Sequence, residues 1–232
     1  MRLLVTRPIE DGETLKARLE TLGHQVILSP LLTIEPCAGI EIPPETYQAI
    51  ALTSANAVRC LEGTAHLDGL RHLPVLAVGP QSAAAARQAG FTTITEAGGD
   101  GVGLARHMIA ALDPHAGPVL YLSGLDTASD FTGLLEQGGL TARRVVVYAA
   151  KPATALAPEA ATAEGVLLYS PRSARLWLDL AKSQAIRADV MLHYCLSANI
   201  AAILPDAFAR RVAARPVEDA LLEIIGHAQP LA

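Results

Sequence analysis

The chain has 232 residues, of which 51% are hydrophobic, 18% charged and only 4% aromatic. This length allows one large domain or two small ones with a sizeable core. The net charge of −5 and the absence of basic runs argue against a nucleic-acid partner and against binding to an anionic membrane surface.

The three cysteines, Cys37, Cys60 and Cys195, are far apart and form no C-x-x-C pair. The seven histidines show no spacing typical of metal ligands. We therefore expect neither a disulfide framework nor a metal site, which fits a reducing cytoplasm. No apolar run reaches about 18 residues, and the N-terminal apolar stretch is too short for a signal peptide. The sequence thus predicts a soluble, cytoplasmic protein without a membrane span.

Taken in chain order, the first half of the sequence alternates apolar runs with amphipathic segments. The runs predict strands near 2–6, 25–29, 48–53, 74–78 and 92–95, so that each half reads βαββαβαβα. Leu15, Leu19 and Leu22 share one face of the helix between the first two strands, and Gly23 suits the end of that helix. Such strands are typical of parallel sheets covered on both faces.

The second half of the chain repeats the first. Residues 2–36 and 118–152 both read as strand, polar corner, helix, glycine, strand and proline, and Gly23 aligns with Gly139 at an offset of 116 (139 − 23). Chance similarity between two α/β stretches is the alternative, but glycines, prolines and corners agree along the whole half. We therefore predict an α/β protein with two flavodoxin-like doubly wound parallel-sheet domains.

Polar corners follow the apolar strands in both halves. They read TRP at 6–8, TSAN at 53–56, GPQS at 79–82, SPRS at 170–173 and SAN at 197–199. Open parallel sheets bind ligands beyond the carboxyl ends of their strands, where helix N-termini attract anions. A hydroxyl at such a corner either caps its helix or contacts a carboxylate, and both interpretations stay open. Several corners in two halves favour a cleft that holds a polyanion between domains.

Familiar catalytic motifs are missing. The chain has no P-loop and no G-x-S-x-G elbow, and the glycines of GGDGVG lack the dinucleotide-binding spacing. Tyr148, in VVVYAAKP, is suited to donate a proton or a hydrogen bond into a cleft, unless it is a strand aromatic with its hydroxyl at the surface. Tyr121, Tyr169 and Tyr194 are interpreted as core or strand-end residues, and Trp177 and His193 as packing residues.

Taken in order, the segments LLVTRP, ALTSANAV, LAVGPQSAAAARQAGF and VVVY resemble the uroporphyrinogen-III synthase family along essentially the whole chain. The resemblance implies two α/β domains joined by a two-stranded connector, with the active site in the cleft between them. Residues 1–34 with 153–232 would form one domain and 37–147 the other, with connectors at 31–36 and 147–152. The repeat alone would suggest a simple division near the middle of the chain. The resemblance also implies a monomer.

The implied enzyme is a cyclising hydro-lyase of haem biosynthesis. Its substrate is hydroxymethylbilane, a linear tetrapyrrole rich in carboxylates, which loses its hydroxyl and closes with inversion of ring D. Neither a cofactor nor a metal is implied, because the electron-rich pyrrole ionises easily. The helix starts, with their hydroxyl and N–H groups, suit the carboxylates of this substrate.

Carried over by position, Tyr148 matches the family tyrosine that assists departure of the hydroxyl. The expected substrate-binding residues are Arg7, Thr53, Ser54, Asn56, Gly79, Ser82, Ser170, Arg172, Ser197 and Asn199. Arg7 and Arg172 can equally be simple surface arginines. The corner at 197–201 departs from the family pattern Gly-x-x-Thr-Ala, since serine stands first and Ile200 replaces the threonine. This departure keeps a second hypothesis open, a non-catalytic two-domain paralogue that binds a small anion.

Overall fold

The computed structural model of the chain describes residues 1–127 and 129–228. The strands are β1 (Arg2–Val5), β2 (Gln25–Leu28), β3 (Leu32–Pro36), β4 (Ala49–Leu52), β5 (Val75–Ala77), β6 (Ile94–Glu96), β7 (Val119–Gly124), β8 (Ala142–Pro152), β9 (Gly165–Leu168), β10 (Leu192–Cys195) and β11 (Arg210–Val212). The helices are α1 (Ile9–Thr21), α2 (Asn56–Arg59), α3 (Ala65–Leu70), α4 (Pro80–Gln88), α5 (Gly101–Ala111), α6 (Phe131–Gln137), α7 (Pro171–Ser183), α8 (Ala198–Ala201) and α9 (Glu218–Ile225). Within the described ranges, no helix has the length and apolar character needed to cross a bilayer.

The chain divides into two compact units. The first unit combines Met1–Thr33 with Lys151–Ala232, and the second unit is Ile34–Ala150. The chain therefore leaves the first unit within β3 and returns to it within β8. The first unit is discontinuous in sequence, whereas the second is one uninterrupted segment.

Each unit is built on its own sheet. The first sheet has the order β11-β10-β9-β1-β2, and every pair in it is parallel. Counted along the first unit, this is the flavodoxin-like order 2-1-3-4-5. The second sheet has the order β3-β8-β7-β4-β5-β6, and its pairs from β8 to β6 are parallel. The five strands from β8 to β6 have the same flavodoxin-like order if β7 is counted first, and β3 is a sixth strand beside β8. The predicted α/β class with two mainly parallel sheets is confirmed.

The internal repeat maps directly onto these two sheets. β1 and β2 lie in one copy of the aligned segment and β7 and β8 in the other. Each sheet nevertheless takes its remaining strands from the other half of the sequence. In the first sheet β1 pairs with β9 from the second half, and in the second sheet β7 pairs with β4 from the first half. The predicted first-half strands appear with bounds shifted by one or two residues, for example 92–95 against Ile94–Glu96.

Both faces of the first sheet are buried, as expected for continuous apolar strands. Leu4 points to one face and packs in a cluster with Trp177 of α7. Leu3 and Val5 point to the other face and pack with Leu15 of α1. Alternating side chains of one strand thus serve two cores, so a strand of this kind carries no polar face.

Trp177 and His193 form a polar pair inside the first unit. Both side chains are fully buried. The Trp177 Nε1–H group donates to His193 Nε2 at 3.1 Å, so this nitrogen carries no proton. The other ring nitrogen, Nδ1, then donates to the carbonyl oxygen of Ala209 at 3.2 Å. Burial lowers the pKa of His193, and the imidazole is held neutral in a single tautomer.

We expect the folded state to lose stability when the pH falls below about 6.5 because of His193. The folded-state pKa lies below the unfolded value, so the stabilisation is complete above the unfolded pKa and is lost as the pH falls through the folded pKa. One such group contributes a slope of at most about 1.4 kcal/mol per pH unit. Urea denaturation at several pH values checks this. A His193→Gln variant should show a shallower decline, and parallel profiles for the two proteins would contradict the assignment.

Candidate functional site

The predicted corners lie at the carboxyl-end edge of each sheet. In the second unit, Gly124 ends β7, Thr53 follows β4 and Gly79 follows β5, and these strands are neighbours. In the first unit, Arg7 and Ser197 come soon after β1 and β10, which flank β9. Because the strands run parallel, the corners of each unit meet at one edge of its sheet.

A cavity of about 300 Å³ lies at this edge of the second unit. Hydroxyl side chains dominate its walls, namely Thr53, Ser54, Tyr121, Thr127, Ser129 and Tyr148. The exposed carboxylates of Asp100 and Asp126 also line it. Among the predicted site residues, the structure brings Tyr148, Thr53 and Ser54 together in this one cavity.

An irregularity in β8 directs Tyr148 to the cavity. The ladder between β7 and β8 pairs Ser123 with Val146 but Gly124 with Tyr148, so that Val147 is an extra residue on β8. Such a bulge bends the strand and redirects the next side chain. Beyond it, the Leu125 N–H group donates to the Tyr148 carbonyl oxygen at 2.8 Å. The phenol is half-buried at the cavity wall.

The surroundings of Tyr148 keep its hydroxyl protonated at neutral pH. Burial raises the pKa of Tyr148, and the neighbouring Ser54 hydroxyl opposes only part of that rise. Ser54 Oγ also accepts the backbone N–H group of Asn56 at 3.2 Å. The phenol is therefore a hydrogen-bond donor available to a ligand in the cavity.

Tyr121 has a polar role that its sequence context did not reveal. Its ring is buried and packs on Phe131 with the ring centroids 4.6 Å apart, as expected of a core residue. Its hydroxyl, however, lies 3.0 Å from Thr53 Oγ1 and lines the cavity. The available signal was its position near the carboxyl end of a strand, where a ring can be buried while its hydroxyl reaches the sheet edge.

The other predicted residues of the second unit do not line this cavity. Asn56 begins α2, and its Oδ1 atom accepts from Arg59 at 3.2 Å. Gly79 precedes α4, and Ser82 is buried in the first turn of that helix. The first N–H groups of α4 lie outside its internal hydrogen-bond ladder, as at every helix start. These residues stay predictions as carboxylate contacts.

In the first unit, Ser170 is a helix cap. Ser170 Oγ accepts the N–H group of Ser173 at 3.0 Å, and Ser173 Oγ accepts the N–H group of Ser170 at 3.0 Å. These two bonds form a capping box, and Pro171 occupies the first helical position. Arg172 follows and is half-buried. Ser170 therefore caps its helix, as one of the two interpretations of this corner predicts. A substrate contact of Ser170 or Arg172 stays a prediction.

The altered corner after β10 also precedes a helix. Ser197 occupies the N-cap position of α8, where its side chain makes no capping hydrogen bond to the described residues. Asn199 is exposed in the short helix, whereas Ile200 is buried. Of the side chains in this corner, Ser197 and Asn199 can therefore still reach a ligand, and Ile200 serves the core.

Arg7 is held by carboxylates of its own unit. Its Nη2 atom lies 2.6 Å from Asp11 Oδ2 and its Nη1 atom 2.8 Å from Glu218 Oε2, and the Arg7 side chain is only 15% exposed. The guanidinium stands 4.8 Å from the ring centroid of Tyr169. Glu218 is shared with Arg18, whose Nη1 atom lies 2.7 Å from Oε1. The network ties α1 to α9, which are far apart in the sequence.

We expect Glu218→Gln to lower the free energy of unfolding by about 1–3 kcal/mol. The variant keeps the shape of the side chain but leaves two arginines without a shared carboxylate, one of them largely buried. Glu223→Gln on the same helix is the matched control, because its contact with Arg215 is exposed and 3.9 Å long. Urea denaturation should show no more than about 0.5 kcal/mol for the control. Equal losses would contradict the assignment.

Metal-ligating side chains are not clustered in residues 1–127 and 129–228. No group of three or more His, Cys, Asp or Glu side chains in those ranges is arranged to hold a metal ion. The cavity of the second unit instead offers hydroxyl donors beside two carboxylates. Such a set can assist an oxygen leaving group and accommodate positive charge.

A family model described as uroporphyrinogen-III synthase HemD matches residues 13–223. The chain belongs to the uroporphyrinogen-III synthase family. The match runs through both units, and the resemblance read from the sequence is confirmed. By this family, the chain is a hydro-lyase of tetrapyrrole biosynthesis.

Solved structures of uroporphyrinogen-III synthases show the same fold. The uroporphyrinogen-III synthetase of Helicobacter pylori is 18% identical, with 97% of this chain and 98% of that chain covered and a TM-score of 0.68. A mutant uroporphyrinogen III synthase of the extremely thermophilic bacterium Thermus thermophilus is 16% identical, with 95% and 94% covered and a TM-score of 0.53. No sequence among curated proteins matches the chain.

Proposed function

We propose that the chain converts hydroxymethylbilane to uroporphyrinogen III by dehydration and cyclisation with inversion of ring D. The observation that carries this proposal is the hydroxyl-lined cavity of the second unit, with Tyr148 at its wall, in a chain of this family. The cavity offers a protonated phenol, which is what the first step of the reaction requires.

Tyr148 acts at the departure of the substrate hydroxyl. The phenol donates a hydrogen bond to the leaving oxygen while the C–O bond breaks, and the hydroxyl leaves as water. The pyrrole supplies the electron pair and becomes an azafulvene cation. Attack by a substituted carbon of the last ring gives a spiro intermediate, which fragments and recloses with that ring inverted. Loss of a pyrrole proton at closure restores the proton used in the first step, so the net change is loss of one water.

The charges of the cavity favour the cation over the substrate carboxylates. Asp100 and Asp126 both line the cavity and repel anions from it. They also stabilise developing positive charge nearby. The carboxylate contacts are therefore proposed at the helix starts and arginines, which are Asn56, Gly79 and Ser82 in the second unit and Arg7, Ser170, Arg172, Ser197 and Asn199 in the first.

The same proposal extends to the organisation of the molecule. Residues 1–34 with 153–232 form one domain and 37–147 the other, with 31–36 and 147–152 as connectors. The division of the chain into two contact-based units supports this, because both of its boundaries fall inside the proposed connectors. The protein acts as a cytoplasmic monomer and needs no cofactor.

The test supplies freshly generated hydroxymethylbilane and separates the oxidised porphyrin isomers by chromatography. Without an enzyme, the bilane closes to the type I isomer. We expect the protein to give a rapid excess of type III. Type I alone, from protein shown to be folded by circular dichroism, would overturn the proposal. It would also favour the non-catalytic anion-binding paralogue, to which the altered corner at 197–201 points.

A further inference from the structure

We propose that Gly124 is a positioning residue for Tyr148. Its missing side chain leaves the space in which the hydroxyl end of the phenol stands at the cavity wall. The inference rests on the proposed function, because it concerns the residue that assists departure of the hydroxyl.

The contact between Gly124 and Tyr148 leaves no room for a methyl group. A Cβ atom on Gly124 would lie 2.6 Å from Tyr148 Cζ, 2.8 Å from Cε2 and 2.9 Å from the hydroxyl oxygen. Non-bonded carbon atoms prefer separations of about 3.5–4.0 Å. The clash falls on the hydroxyl end of the ring, so a side chain at this position would displace the reactive atom by about an ångström.

The backbone conformation of Gly124 does not itself require glycine. Gly124 ends β7, and it is not among the glycines with positive φ. An alanine here would therefore cost no unusual backbone strain. Glycine is required at this position because the ring of Tyr148 occupies the space of a side chain.

The backbone around Gly124 is also hydrogen-bonded to the neighbouring strand β8. Arg144 Nε donates to Ser123 Oγ at 2.9 Å, and Arg144 Nη2 donates to the carbonyl oxygens of Gly124 at 2.9 Å and Leu125 at 2.8 Å. Arg144, which lies in β8, thus links this strand to the end of β7 through side-chain hydrogen bonds. The clashing atoms of Tyr148 lie at the far end of its side chain, whereas the end of β7 is held by these bonds, so we expect the phenol to shift when a side chain is placed at Gly124.

The bulge at Val147 sets the register that brings Tyr148 opposite Gly124. Two features therefore converge on one placement of the hydroxyl at the cavity wall. They are the bulge and the missing side chain.

The experiment measures kcat and KM for type III formation by the full chain carrying Gly124→Ala. We expect kcat to fall about ten- to a hundredfold, because a misplacement of about 1 Å can cost that much. KM should change by less than about threefold, since substrate binding is untouched. Gly69→Ala is the control, because a Cβ atom there meets nothing within 4 Å, and it should leave both constants unchanged.

The same substitution in a Tyr148→Phe variant distinguishes a positioning role of Gly124 from a general loss of structure. In Tyr148→Phe, which lacks the hydroxyl, Gly124→Ala should lower kcat no further. Wild-type kcat in Gly124→Ala, or the same fold loss in the Tyr148→Phe background, would overturn the inference.

Thermal denaturation tests the contact without any activity. Gly124→Ala should lower Tm in the wild-type chain and should lower it no further in the Tyr148→Ala background. An unchanged Tm in the wild-type chain, or the same loss in both backgrounds, would overturn the inference. If the wild type makes no type III isomer, the proposed function fails while this second measurement still decides whether Gly124 seats Tyr148.

Discussion

Replacing Tyr148 with phenylalanine is expected to lower kcat for type III formation about a hundredfold, with KM changed by less than about threefold. The substitution keeps the ring that fits against Gly124 and removes only the hydroxyl. A positioned general acid typically raises the rate about 10²- to 10⁴-fold. We expect the lower value here because the electron-rich pyrrole itself drives the loss of the hydroxyl. As the enzyme slows, spontaneous closure competes and the product shifts toward the type I isomer.

The measurement is the initial rate of each porphyrin isomer with saturating bilane. Tyr194→Phe is the matched control, because it makes the same chemical change at a buried tyrosine of the other unit, whose hydroxyl donates to the Met1 sulfur. It should keep the wild-type rate. A Tyr148→Phe enzyme as fast as this control would exclude the phenol from the chemistry.

Replacing Trp177 with alanine is expected to lower the free energy of unfolding by about 3–5 kcal/mol. Trp177 is fully buried in α7 and packs against the same core face as Leu4. Its removal leaves a cavity that the surrounding strands cannot fill. It also leaves His193 Nε2 without its donor inside the core, at a further cost.

Urea denaturation followed by far-UV circular dichroism measures this loss, because Trp177 is the chain's only tryptophan and fluorescence disappears with it. Trp177→Phe separates the two contributions, since phenylalanine refills most of the volume but donates no hydrogen bond. We expect an intermediate loss of about 1–3 kcal/mol for that variant. A loss below about 1 kcal/mol for Trp177→Ala would show that the site collapses around the gap.

The fold was largely predictable because its signals are local. Continuous apolar strands, amphipathic helices and a glycine after α1 determine the α/β class, and Gly23 indeed adopts the positive φ of +84° that a helix end requires. Partner choice between strands is not local. The pairing of β1 with β9 joins residues that lie far apart in the sequence. The repeat shows which strands of the two halves are equivalent, but it does not predict that strands of one half pair with strands of the other.

The candidate site was predictable only in part, for a related reason. Thr53 and Ser54 follow an apolar strand, Tyr148 pairs with the last residue of β7, and strand ends converge at the edge of a parallel sheet. The cavity role of Tyr121 depends on how far its hydroxyl extends past a buried ring, which no periodicity encodes. Arg7 was predicted as a substrate contact or a surface arginine, and its ion pair with Glu218 was missed because Glu218 lies 211 residues away in the sequence.

The discontinuous first unit has a consequence for biosynthesis. On the ribosome, residues 34–150, the whole of the second compact unit, emerge while β1 still lacks β9, its neighbour in the sheet. At typical translation speeds, the nascent opening segment waits on the order of ten seconds for that strand. Its apolar residues are exposed to chaperones and to other nascent chains throughout that delay. A chain truncated soon after residue 150 would contain the whole second unit, and its apolar strand β1 would lack the partner strand β9.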